Sequence, residues 1–542
     1  MSTIRLPRSP TASRLLAPLL VALALVLAGS PGARAREVYG LDASQLGLYL
    51  GNNLLAGWQV REARRLVDDM LARSPDDPAA RALEARVLFF EGRYAEALRA
   101  VDGLGVTGPF RDLVAATVEA TRDMVSRTGD GFRVSWVDPR DEILADPALE
   151  ALAAAAAALE EHLGFRPDPD EVIRVEIYPT VASFTAVSTL TRQEVETSGT
   201  IGLCKFNRIM ITSPRATLWG YRWRDTLCHE YVHLAVYRKS RGLAPIWVHE
   251  GIAKYLEGAW RGAAGELEPS SQALLARRME EGTLIPLEAM SPSVAKLPSA
   301  EDTALAFAEV STMMAFLVER RGPDALRRLV EAIGEGLDDR AALESVWGDR
   351  FDTFDAAWRR WVEELPLHRE EAQVISLHLA DEAGDAEEDP GDVSDPKARD
   401  FVRLGDMLRA RGRLRAAAAE YAKAYASDPA APGVASRHAL GLLIGKRYDE
   451  ALDVVDEALK VYPDLPVLWY RKGDALLGLG DPAGALEALD QVLEINPFHL
   501  PARRLRVAAF RALGDATAAD REARVLTLLA GPPPGHPGGD AR

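Results

Sequence analysis

Residues 445–452 read Gly-Lys-Arg-Tyr-Asp-Glu-Ala-Leu, and a closely similar string, Gly-Arg-Tyr-Ala-Glu-Ala-Leu, stands at residues 92–98. Both strings belong to a 34-residue period, which is typical of stacked helical hairpins. A small Ala lets the two helices of a hairpin approach closely, and a later Pro stops the second helix. The periodic residues are Ala417, Ala451, Ala485, Ala519, Pro429, Pro463 and Pro497, and near the start of the chain Ala63, Ala97 and Pro75.

The two strings resemble the central signature of the tetratricopeptide repeat (TPR). This resemblance implies all-α TPR-like hairpin repeats on both sides of a region that lacks the period. We expect about two repeats in residues 40–125 and about four in residues 397–530. Arrays of this kind offer concave surfaces to peptides and helices. The resemblance therefore implies protein partners, or a protein substrate, that the repeats recruit.

Bulk composition excludes several classes of partner. The chain has 542 residues, of which 48% are hydrophobic and 27% are charged, so it has room for several folded domains. Its formal net charge is -17. Such an acidic chain, without a Lys/Arg-rich run, is a poor candidate for binding nucleic acid or an anionic membrane surface.

The first residues have the pattern of a targeting segment. Arg5, Arg8 and Arg14 precede an apolar run at residues 15–28, and Ala-Arg-Ala at residues 33–35 fits the small-x-small cleavage rule. We predict a signal peptide at residues 1–35, with an uncleaved N-terminal anchor as the alternative. The predicted mature protein is exported, to the periplasm or beyond the cell envelope, and no later run is apolar enough for stable membrane insertion.

The remaining segments divide the chain further. Residues 366–396 are rich in acids, Gly and Pro and are predicted to be a linker, and residues 531–542 are predicted to be a disordered tail. Residues 132–365 break the repeat period. Strands are expected at 132–137, 172–178 and within 200–212, with helices at 145–163 and from residue 223 onward. Strands followed by helices predict an α+β domain with a small mixed sheet.

The segment Cys-His-Glu-Tyr-Val-His at residues 228–233 carries the clearest chemistry. Residues four apart lie on one face of a helix, so His229 and His233 can offer two imidazole nitrogens to one metal ion. Glu230 stands beside them, where it can take a proton from a metal-bound water. The alternative is a solvated helix face or a hydrogen-bonded core cluster without metal.

A second segment of the sequence favours a metal site over the alternative without metal. Residues 245–258 read Pro-Ile-Trp-Val-His-Glu-Gly-Ile-Ala-Lys-Tyr-Leu-Glu-Gly. With the preceding motif, this segment resembles the gluzincin metallopeptidases of the peptidase MA-like group, whose Trp-x-x-Glu-Gly-x-Ala pattern matches Trp247, Glu250, Gly251 and Ala253. The resemblance implies a zincin-like domain at 132–365 with Zn²⁺ as cofactor and Glu250 as the third ligand. It also implies hydrolysis of peptide bonds by a zinc-bound water, with Glu230 as general base.

Other residues of the site are less sharply defined. In the resembled family, a strand of the type found at 207–211 lies beside the cleft, where substrate can pair with its edge. Phe307 stands where that family commonly has Tyr; if that Tyr holds the oxyanion of the tetrahedral intermediate in the family, this chain lacks it there, which favours a degenerate domain. The candidate oxyanion donors are Tyr255, Tyr221, Tyr231 and His249.

Two further pairs of residues are candidates for supporting roles. Cys204 and Cys228 are the only cysteines, and they form either a disulfide that joins strand to helix or two separate buried thiols. Glu257 and Asp225 are candidates to orient the histidine rings.

These patterns lead to one hypothesis and one alternative from a different class. The hypothesis is an exported zinc metallopeptidase whose repeats recruit substrate or partner proteins. The alternative is a non-catalytic TPR scaffold of the cell envelope with a degenerate zincin domain. Glu230 favours the peptidase, because a purely structural metal site needs no general base. The sequence leaves open the cleavage preference, endopeptidase or exopeptidase action, the oligomeric state, and whether the repeats touch the central domain.

Overall fold

The computed structural model describes residues 42–291, 293–369 and 395–530, together with Leu379 and Val393. The predicted signal peptide, the predicted tail and most of the predicted linker lie outside the described residues. Within the described ranges, no helix is both long enough and apolar enough to cross a membrane.

The N-terminal array comprises residues 42–121 and is entirely helical. Its helices are α1 (Ala43–Ala56), α2 (Val60–Arg73), α3 (Pro78–Phe90), α4 (Tyr94–Gly103) and α5 (Pro109–Thr121). The periodic residues Ala63 and Ala97 are fully buried between helices, as close helix packing requires. The first four helices form the two predicted hairpins, and α5 leads into the central domain.

The central domain, residues 125–364, contains a five-stranded mixed sheet. Its strands are β1 (Val125–Gly129), β2 (Phe132–Trp136), β3 (Ile173–Tyr178), β4 (Gly202–Lys205) and β5 (Arg208–Thr212). Their spatial order is β1-β2-β3-β5-β4. The β1/β2 and β4/β5 pairs are antiparallel, and β2/β3 and β3/β5 are parallel. The predicted α+β fold class with a small mixed sheet is confirmed.

Two hairpin turns set the register of the antiparallel strands. Asp130 and Gly131 join β1 to β2, and Phe206 and Asn207 join β4 to β5, all four with positive φ. Such turns match the right-handed twist of the flanking strands. The strand structure predicted within residues 200–212 is divided into β4 and β5 by the second turn. The sequence prediction missed β1, so the sheet begins at Val125 and not at the predicted boundary of residue 132.

Helices pack on both faces of the sheet. They are α6 (Ala145–Leu163), α7 (Val181–Ser188), α8 (Arg192–Ser198), α9 (Trp223–Lys239), α10 (Ile246–Leu256), α11 (Pro269–Glu281), α12 (Ala300–Arg321), α13 (Ala325–Gly334), α14 (Asp339–Trp347) and α15 (Phe351–Glu364). Alternate residues of β5 point to opposite faces. Ile209 and Ile211 join the main core with α6 and α9, whereas Met210 packs with Phe184 of α7.

The C-terminal array, residues 395–530, forms the four predicted hairpins. Its helices are α16 (Pro396–Ala410), α17 (Leu414–Ser427), α18 (Pro432–Ile444), α19 (Tyr448–Val461), α20 (Pro466–Leu479), α21 (Pro482–Ile495), α22 (Leu500–Ala512) and α23 (Ala516–Ala530). Ala417, Ala451 and Ala485 are fully buried at the helix crossings. Several helices begin with Pro in the first turn, where its missing N–H is tolerated.

Both arrays contact the central domain, a question that the sequence left open. On the N-terminal side, the Tyr94 hydroxyl lies 2.5 Å from a Glu176 carboxylate oxygen, and Arg208 donates to the same hydroxyl. On the C-terminal side, the Tyr221 backbone N–H donates to the Ile495 carbonyl at 2.9 Å. The central domain therefore lies between the two arrays.

Candidate active site

Helix α9 carries the predicted motif and is embedded in the core. Leu227, Tyr231 and Leu234 are fully buried and fix one side of the helix against the sheet and α6. His229 and His233 lie on another side, where their ring centroids are 4.7 Å apart and their planes nearly perpendicular. The helical spacing therefore places both imidazoles at one point of the surface, as predicted.

Helix α10 brings Glu250 to His229 and His233, and the contacts of its neighbours in the chain position it there. The indole Nε1 of Trp247 donates to Asp339 at 2.6 Å and ties α10 to α14. At Gly251, a Cβ atom would lie 2.9 Å from the Val310 carbonyl oxygen, so only Gly permits this approach of α10 to α12. The Trp-x-x-Glu-Gly pattern thus has a packing role that aims Glu250 at the histidines.

The three side chains form a compact cluster. His229 Nε2 lies 3.3 Å from Glu250 Oε2, and His233 Nε2 lies 3.4 Å from the same oxygen. One ligand atom from each residue falls within 4.8 Å of the other two. Two imidazole nitrogens and one carboxylate oxygen are a donor set that suits Zn²⁺ and leaves a coordination position for water or substrate. These residues could therefore hold one metal ion.

Glu257, just after α10, orients one of the histidines. Its Oε2 lies 3.1 Å from His229 Nδ1, and its Oε1 accepts from Lys254 Nζ at 2.6 Å. With Nδ1 donating to Glu257, the Nε2 atom of His229 is left for a metal. Burial lowers the pKa of His229, but Glu250 and Glu257 outweigh this effect and raise it to about 10. The cluster thus attracts positive charge, which suits a cation site.

Glu230 lies beside the cluster with an unused oxygen. Its side chain is buried, and Oε2 has no hydrogen-bond partner among the described residues. Burial raises the pKa of this carboxyl group, while the neighbouring His233 and His229 lower it. A buried carboxylate that keeps a free lone pair is suited to accept a proton from a molecule in the adjacent cleft.

The edge strand β4 flanks Glu230. A Cβ atom on Gly202 would lie 2.9 Å from both Cγ and Oε1 of Glu230, so this Gly makes room for the carboxyl group. The strand predicted at 207–211 corresponds to β5, which is internal because it pairs with β3 and β4. That prediction was wrong: β4 has the free edge beside the site. The chain order of strands in a hairpin does not say which one is outermost.

A cleft of about 440 Å³ opens over the cluster. His229, Glu230, His233, His249, Glu250 and Phe307 line it. The cleft also contains two aromatic residues that the sequence reasoning missed, Trp58 and Tyr237. Tyr237 lies four residues after His233 on α9, so helical spacing could have identified it. Nothing local could have identified Trp58, because it belongs to the N-terminal array.

The predicted oxyanion donors fall into two groups. His249 lines the cleft, with its ring centroid 5.5 Å from that of His233. The other three do not reach it. Tyr221 donates its hydroxyl to the Thr212 carbonyl, Tyr255 is buried against Gly265 and His162, and Tyr231 is buried against Phe132 and Phe165. The tyrosine candidates were therefore wrong, because packing turns each of them away.

The two cysteines are both free thiols, so the disulfide considered from the sequence is not formed. Cys204 lies on β4 and lines the cleft. Cys228 is buried, and its Sγ lies 3.7 Å from the Ala151 carbonyl of α6. Asp225 also departs from its predicted role, because it accepts from Trp260 at 2.7 Å and pairs with Arg261, not with a histidine.

A second cavity of about 430 Å³ adjoins the cleft. Both are lined in part by Ile201, Thr226, Lys254 and Glu257. The far side of the second cavity is formed by residues 461–465, between α19 and α20 of the C-terminal array. The space around the cluster is therefore bounded by one repeat array at each end.

Comparisons with known proteins divide the chain in the same way. Residues 152–364 match the family model described as Peptidase MA superfamily. Tetratricopeptide repeat models match residues 54–118 and 442–509, and a further one matches 402–466. No curated protein gives a significant match. The family resemblance inferred from the two motifs is confirmed at this level.

Several solved structures are similar to part of this chain. A thermophilic TPR protein of Thermus thermophilus is 22% identical, with a TM-score of 0.24, over 24% of this chain and 74% of that one. MamA from Desulfovibrio magneticus is 19% identical, with a TM-score of 0.23, over 24% of this chain and 75% of that one.

Proposed function

We propose that this protein is an exported zinc-dependent peptidase. Its chain carries a Peptidase MA superfamily domain between two sets of tetratricopeptide repeats. The observation that carries the proposal is the cluster of His229, His233 and Glu250, whose ligand atoms lie within 4.8 Å of one another. Glu230 lies next to the cluster in a cleft large enough for a peptide segment.

Zinc is the metal that best fits the cluster. Two imidazole nitrogens and one carboxylate oxygen match the ligand set of catalytic zinc sites, and carboxylate-rich magnesium or calcium sites differ from it. When bound, zinc supplies a Lewis acid that polarises a peptide carbonyl and lowers the pKa of a coordinated water molecule. His229 and His233 would bind through Nε2, and Glu257 would keep the His229 ring in place.

Glu230 acts as the proton carrier in this proposal. Its Oε2 atom is buried, faces no other partner among the described residues, and adjoins the cleft. The carboxylate removes a proton from the attacking water and then delivers it to the nitrogen of the leaving amine. Each hydrolysis thus returns Glu230 to its starting protonation state.

His249 is the proposed donor to the substrate oxyanion. The resembled family commonly has Tyr where this chain has Phe307, and a phenyl ring in the cleft cannot donate. His249 lines the same cleft beside His233 and carries a ring N–H. A donor placed where negative charge develops stabilises the transition state, so His249 can compensate for the missing hydroxyl.

The proposal also includes the cellular location of the protein and the role of its repeats. The Arg-flanked apolar run and the Ala-Arg-Ala string at residues 33–35 support export to the periplasm. Because both arrays border the space around the cluster, the repeats would bring a protein substrate directly to the catalytic residues. This arrangement supports a substrate that is a protein and not a free dipeptide.

The experiment that tests the proposal is a measurement of bound metal per mole of purified chain. The parent should carry about one zinc ion per chain, and His233→Ala should carry almost none. His438→Ala is the matched control, because this histidine stacks on Tyr425 in the C-terminal array and its loss should leave the zinc content unchanged. Absence of zinc from the parent after zinc is supplied would overturn the proposal and favour the scaffold alternative.

A second measurement separates metal binding from catalysis. Glu230→Gln removes the proton acceptor and keeps the shape of the side chain, so this variant should retain zinc. Zinc-dependent hydrolysis of an unfolded protein such as casein should fall by at least about a hundredfold, the scale of a lost general base. Equal hydrolysis by parent and variant would show that Glu230 is not the base.

A further inference from the structure

Part of the wall of the cleft comes from the N-terminal array. Trp58 stands in the short connection between α1 and α2, yet it lines the same cleft as His229 and Glu230. It also packs against the core of the central domain. The cleft is therefore not formed by the Peptidase MA superfamily domain alone.

Trp58 is held in an unusual backbone conformation. Its φ is 53°, in the left-handed region that glycine favours, where a bulky residue is strained. The Trp58 backbone N–H donates to the Leu55 carbonyl at 3.1 Å, and that of Gln59 donates to Leu54 at 2.8 Å. A glycine would make the same turn without strain, so the turn itself does not require the indole.

Contacts with α9 fix the indole ring. It stacks on Tyr237 with ring centroids 4.0 Å apart and an interplanar angle of 23°. The Tyr237 hydroxyl donates to the Ala56 carbonyl, at the end of α1. Two stacked rings thus form a rigid surface, because each ring is held from a different element.

The cleft that contains this surface is largely apolar. Its apolar lining residues include Leu190, Ile246, Val294 and Phe307. The side chains of Trp58 and Tyr237 are half-buried and so remain partly accessible. An apolar surface that is rigid and partly accessible binds apolar side chains, because their burial removes non-polar area from water.

We propose that Trp58 is a specificity-determining residue that receives a bulky apolar side chain of the substrate polypeptide. The inference rests on the proposed peptidase function, and the free edge of β4 beside the cleft would hold the substrate backbone. The N-terminal array thereby contributes directly to the choice of the bond that is cleaved.

The alternative role for Trp58 is an anchor that only attaches the N-terminal array. That attachment already has other contacts: Arg174 donates to the Phe90 carbonyl at 2.6 Å, and Arg61 pairs with Asp168 at 3.0 Å. Tyr94 adds its hydrogen bonds to Glu176 and Arg208. Because these contacts lie away from the cleft, the array stays docked when the indole is removed.

The test is a binding measurement in full-length Glu230→Gln, which does not need turnover. Fluorescein-labelled decapeptides that differ only in one central residue, Phe, Leu, Gly or Asp, are titrated and followed by anisotropy. The Phe and Leu peptides should bind more tightly than the Gly and Asp peptides. Adding Trp58→Gly should remove this preference through a loss of about tenfold in affinity for the apolar peptides, the scale of one aromatic contact with its buried area.

Two further variants serve as controls. Trp58→Phe keeps an aromatic ring and should keep most of the preference. Tyr49→Ala removes an exposed aromatic residue from α1 without touching the cleft, and it should change nothing. Trp58→Gly relieves the left-handed strain, so its thermal stability and its resistance to proteolytic release of the N-terminal array should remain close to those of the parent.

The outcomes separate this inference from the proposed function. An unchanged preference in Trp58→Gly, or no preference in the parent background, overturns the inference, whatever the zinc content is. If Trp58→Gly releases the N-terminal array but keeps the preference for apolar peptides, the inference is also overturned, because Trp58 is then only an anchor. A parent that binds apolar peptides through Trp58 but neither holds zinc nor hydrolyses protein would retain the inference as a binding property and overturn the peptidase proposal.

Discussion

The orientation of His229 depends on a chain of two contacts. Its Nδ1 lies 3.1 Å from Glu257, and the other oxygen of Glu257 accepts from Lys254 at 2.6 Å. A carboxylate in this position fixes the ring and raises the basicity of the metal-binding nitrogen. Burial works against the charged form of Glu257, but Lys254 and His229 outweigh it and lower the pKa of this carboxyl group.

Replacing Glu257 should therefore weaken the metal site without removing a ligand. We expect Glu257→Gln to lower zinc affinity by about 10- to 100-fold, measured by competition with a chromophoric chelator. Glu266→Gln is the matched control, because Glu266 is an exposed residue that pairs with Arg261 and not with a histidine. Unchanged affinity in Glu257→Gln would mean that another contact orients the ring.

A second residue, Glu309 on α12, is expected to contribute to the pH dependence of stability. Its side chain is 2% exposed and accepts from the Ile285 backbone N–H at 2.8 Å. Burial raises the pKa of this carboxyl group from 4.5 to about 8. Between these values the unfolded chain has released the proton and the folded chain still holds it, so the stabilising contribution present below pH 4.5 is lost as the pH rises to about 8.

Glu309→Gln should remove this dependence, because glutamine keeps an acceptor for Ile285 and never ionises. Relative to the parent, the variant should gain stability as the pH rises from 4.5 to about 8, by at most about 1.4 kcal/mol per pH unit. Urea unfolding in the presence of a chelator measures this without a contribution from bound metal. Glu319→Gln, an exposed change on the same helix, should show the same pH dependence of the free energy of unfolding as the parent. If Glu309→Gln also showed the pH dependence of the parent, that result would contradict the raised pKa of Glu309.

At the residue scale, the sequence predicted the cluster but not its surroundings. His229, His233 and Glu250 could be predicted, because helical spacing identifies the two histidines and a short sequence pattern identifies the glutamate. The structure brings the three side chains together. Glu257 was a correct candidate for orienting a histidine. Tyr221 and Tyr255 were wrong, because the direction of a tyrosine hydroxyl depends on partners that are remote in the chain, such as the Thr212 carbonyl.

At the scale of elements, the helices were easier to predict than the sheet. The predicted helix at 145–163 coincides with α6 (Ala145–Leu163), because its long run of Ala and Leu has high helix propensity. Strand structure within 200–212 was predicted, but not which strand is outermost, because β5 pairs with β3, which is distant in the chain. Strand order is set by such pairings and leaves no local signal.

The position of β4 has a consequence for catalysis. Gly202 leaves space for Glu230, and a Cβ atom there would lie 2.9 Å from both Cγ and Oε1 of that side chain. Gly202→Ala should therefore displace the carboxyl group and lower kcat by about 10- to 100-fold, the effect of a misplaced catalytic group. Zinc content should stay the same, since the three ligands lie on α9 and α10.

The control for this prediction is another Gly→Ala change with free space around it. Gly103 ends α4, and a Cβ atom there would meet no atom of the described residues within 4 Å, so Gly103→Ala should leave kcat unchanged. Steady-state kinetics with a fluorogenic peptide measures both variants. A Gly202→Ala enzyme with the parent kcat would show that Glu230 tolerates displacement, and a loss of zinc would show that the strand supports the metal ligands instead.

At the scale of the whole molecule, the sequence predicted three parts but not their assembly. The repeat period and the two motifs mark the boundaries, because both are local patterns. The docking contacts join residues such as Tyr94 and Arg208, which are far apart in the sequence and have no shared pattern. As a result, the contributions of Trp58 and of residues 461–465 to the space around the cluster could not be predicted.

The docking of the N-terminal array depends on a buried polar group. The Tyr94 hydroxyl donates to Glu176 and accepts from Arg208, both at 2.5 Å, and from Arg174 at 3.0 Å. Arg208 is fully buried and also pairs with Glu176 at 2.9 Å. Removing the hydroxyl takes one partner from each of three charged side chains, two of which, Glu176 and Arg208, are buried.

Tyr94→Phe should therefore cost about 1 to 3 kcal/mol of stability, the penalty for leaving buried polar groups unsatisfied, although it removes only one atom. Thermal unfolding should show a lower Tm, and limited proteolysis should release the N-terminal array earlier than in the parent. Tyr49→Phe, on the exposed surface of α1, is the matched control and should leave both readouts unchanged. If Tyr94→Phe is as stable as the parent, the Arg208–Glu176 pair is sufficient without the hydroxyl, and apolar contacts hold the array in place.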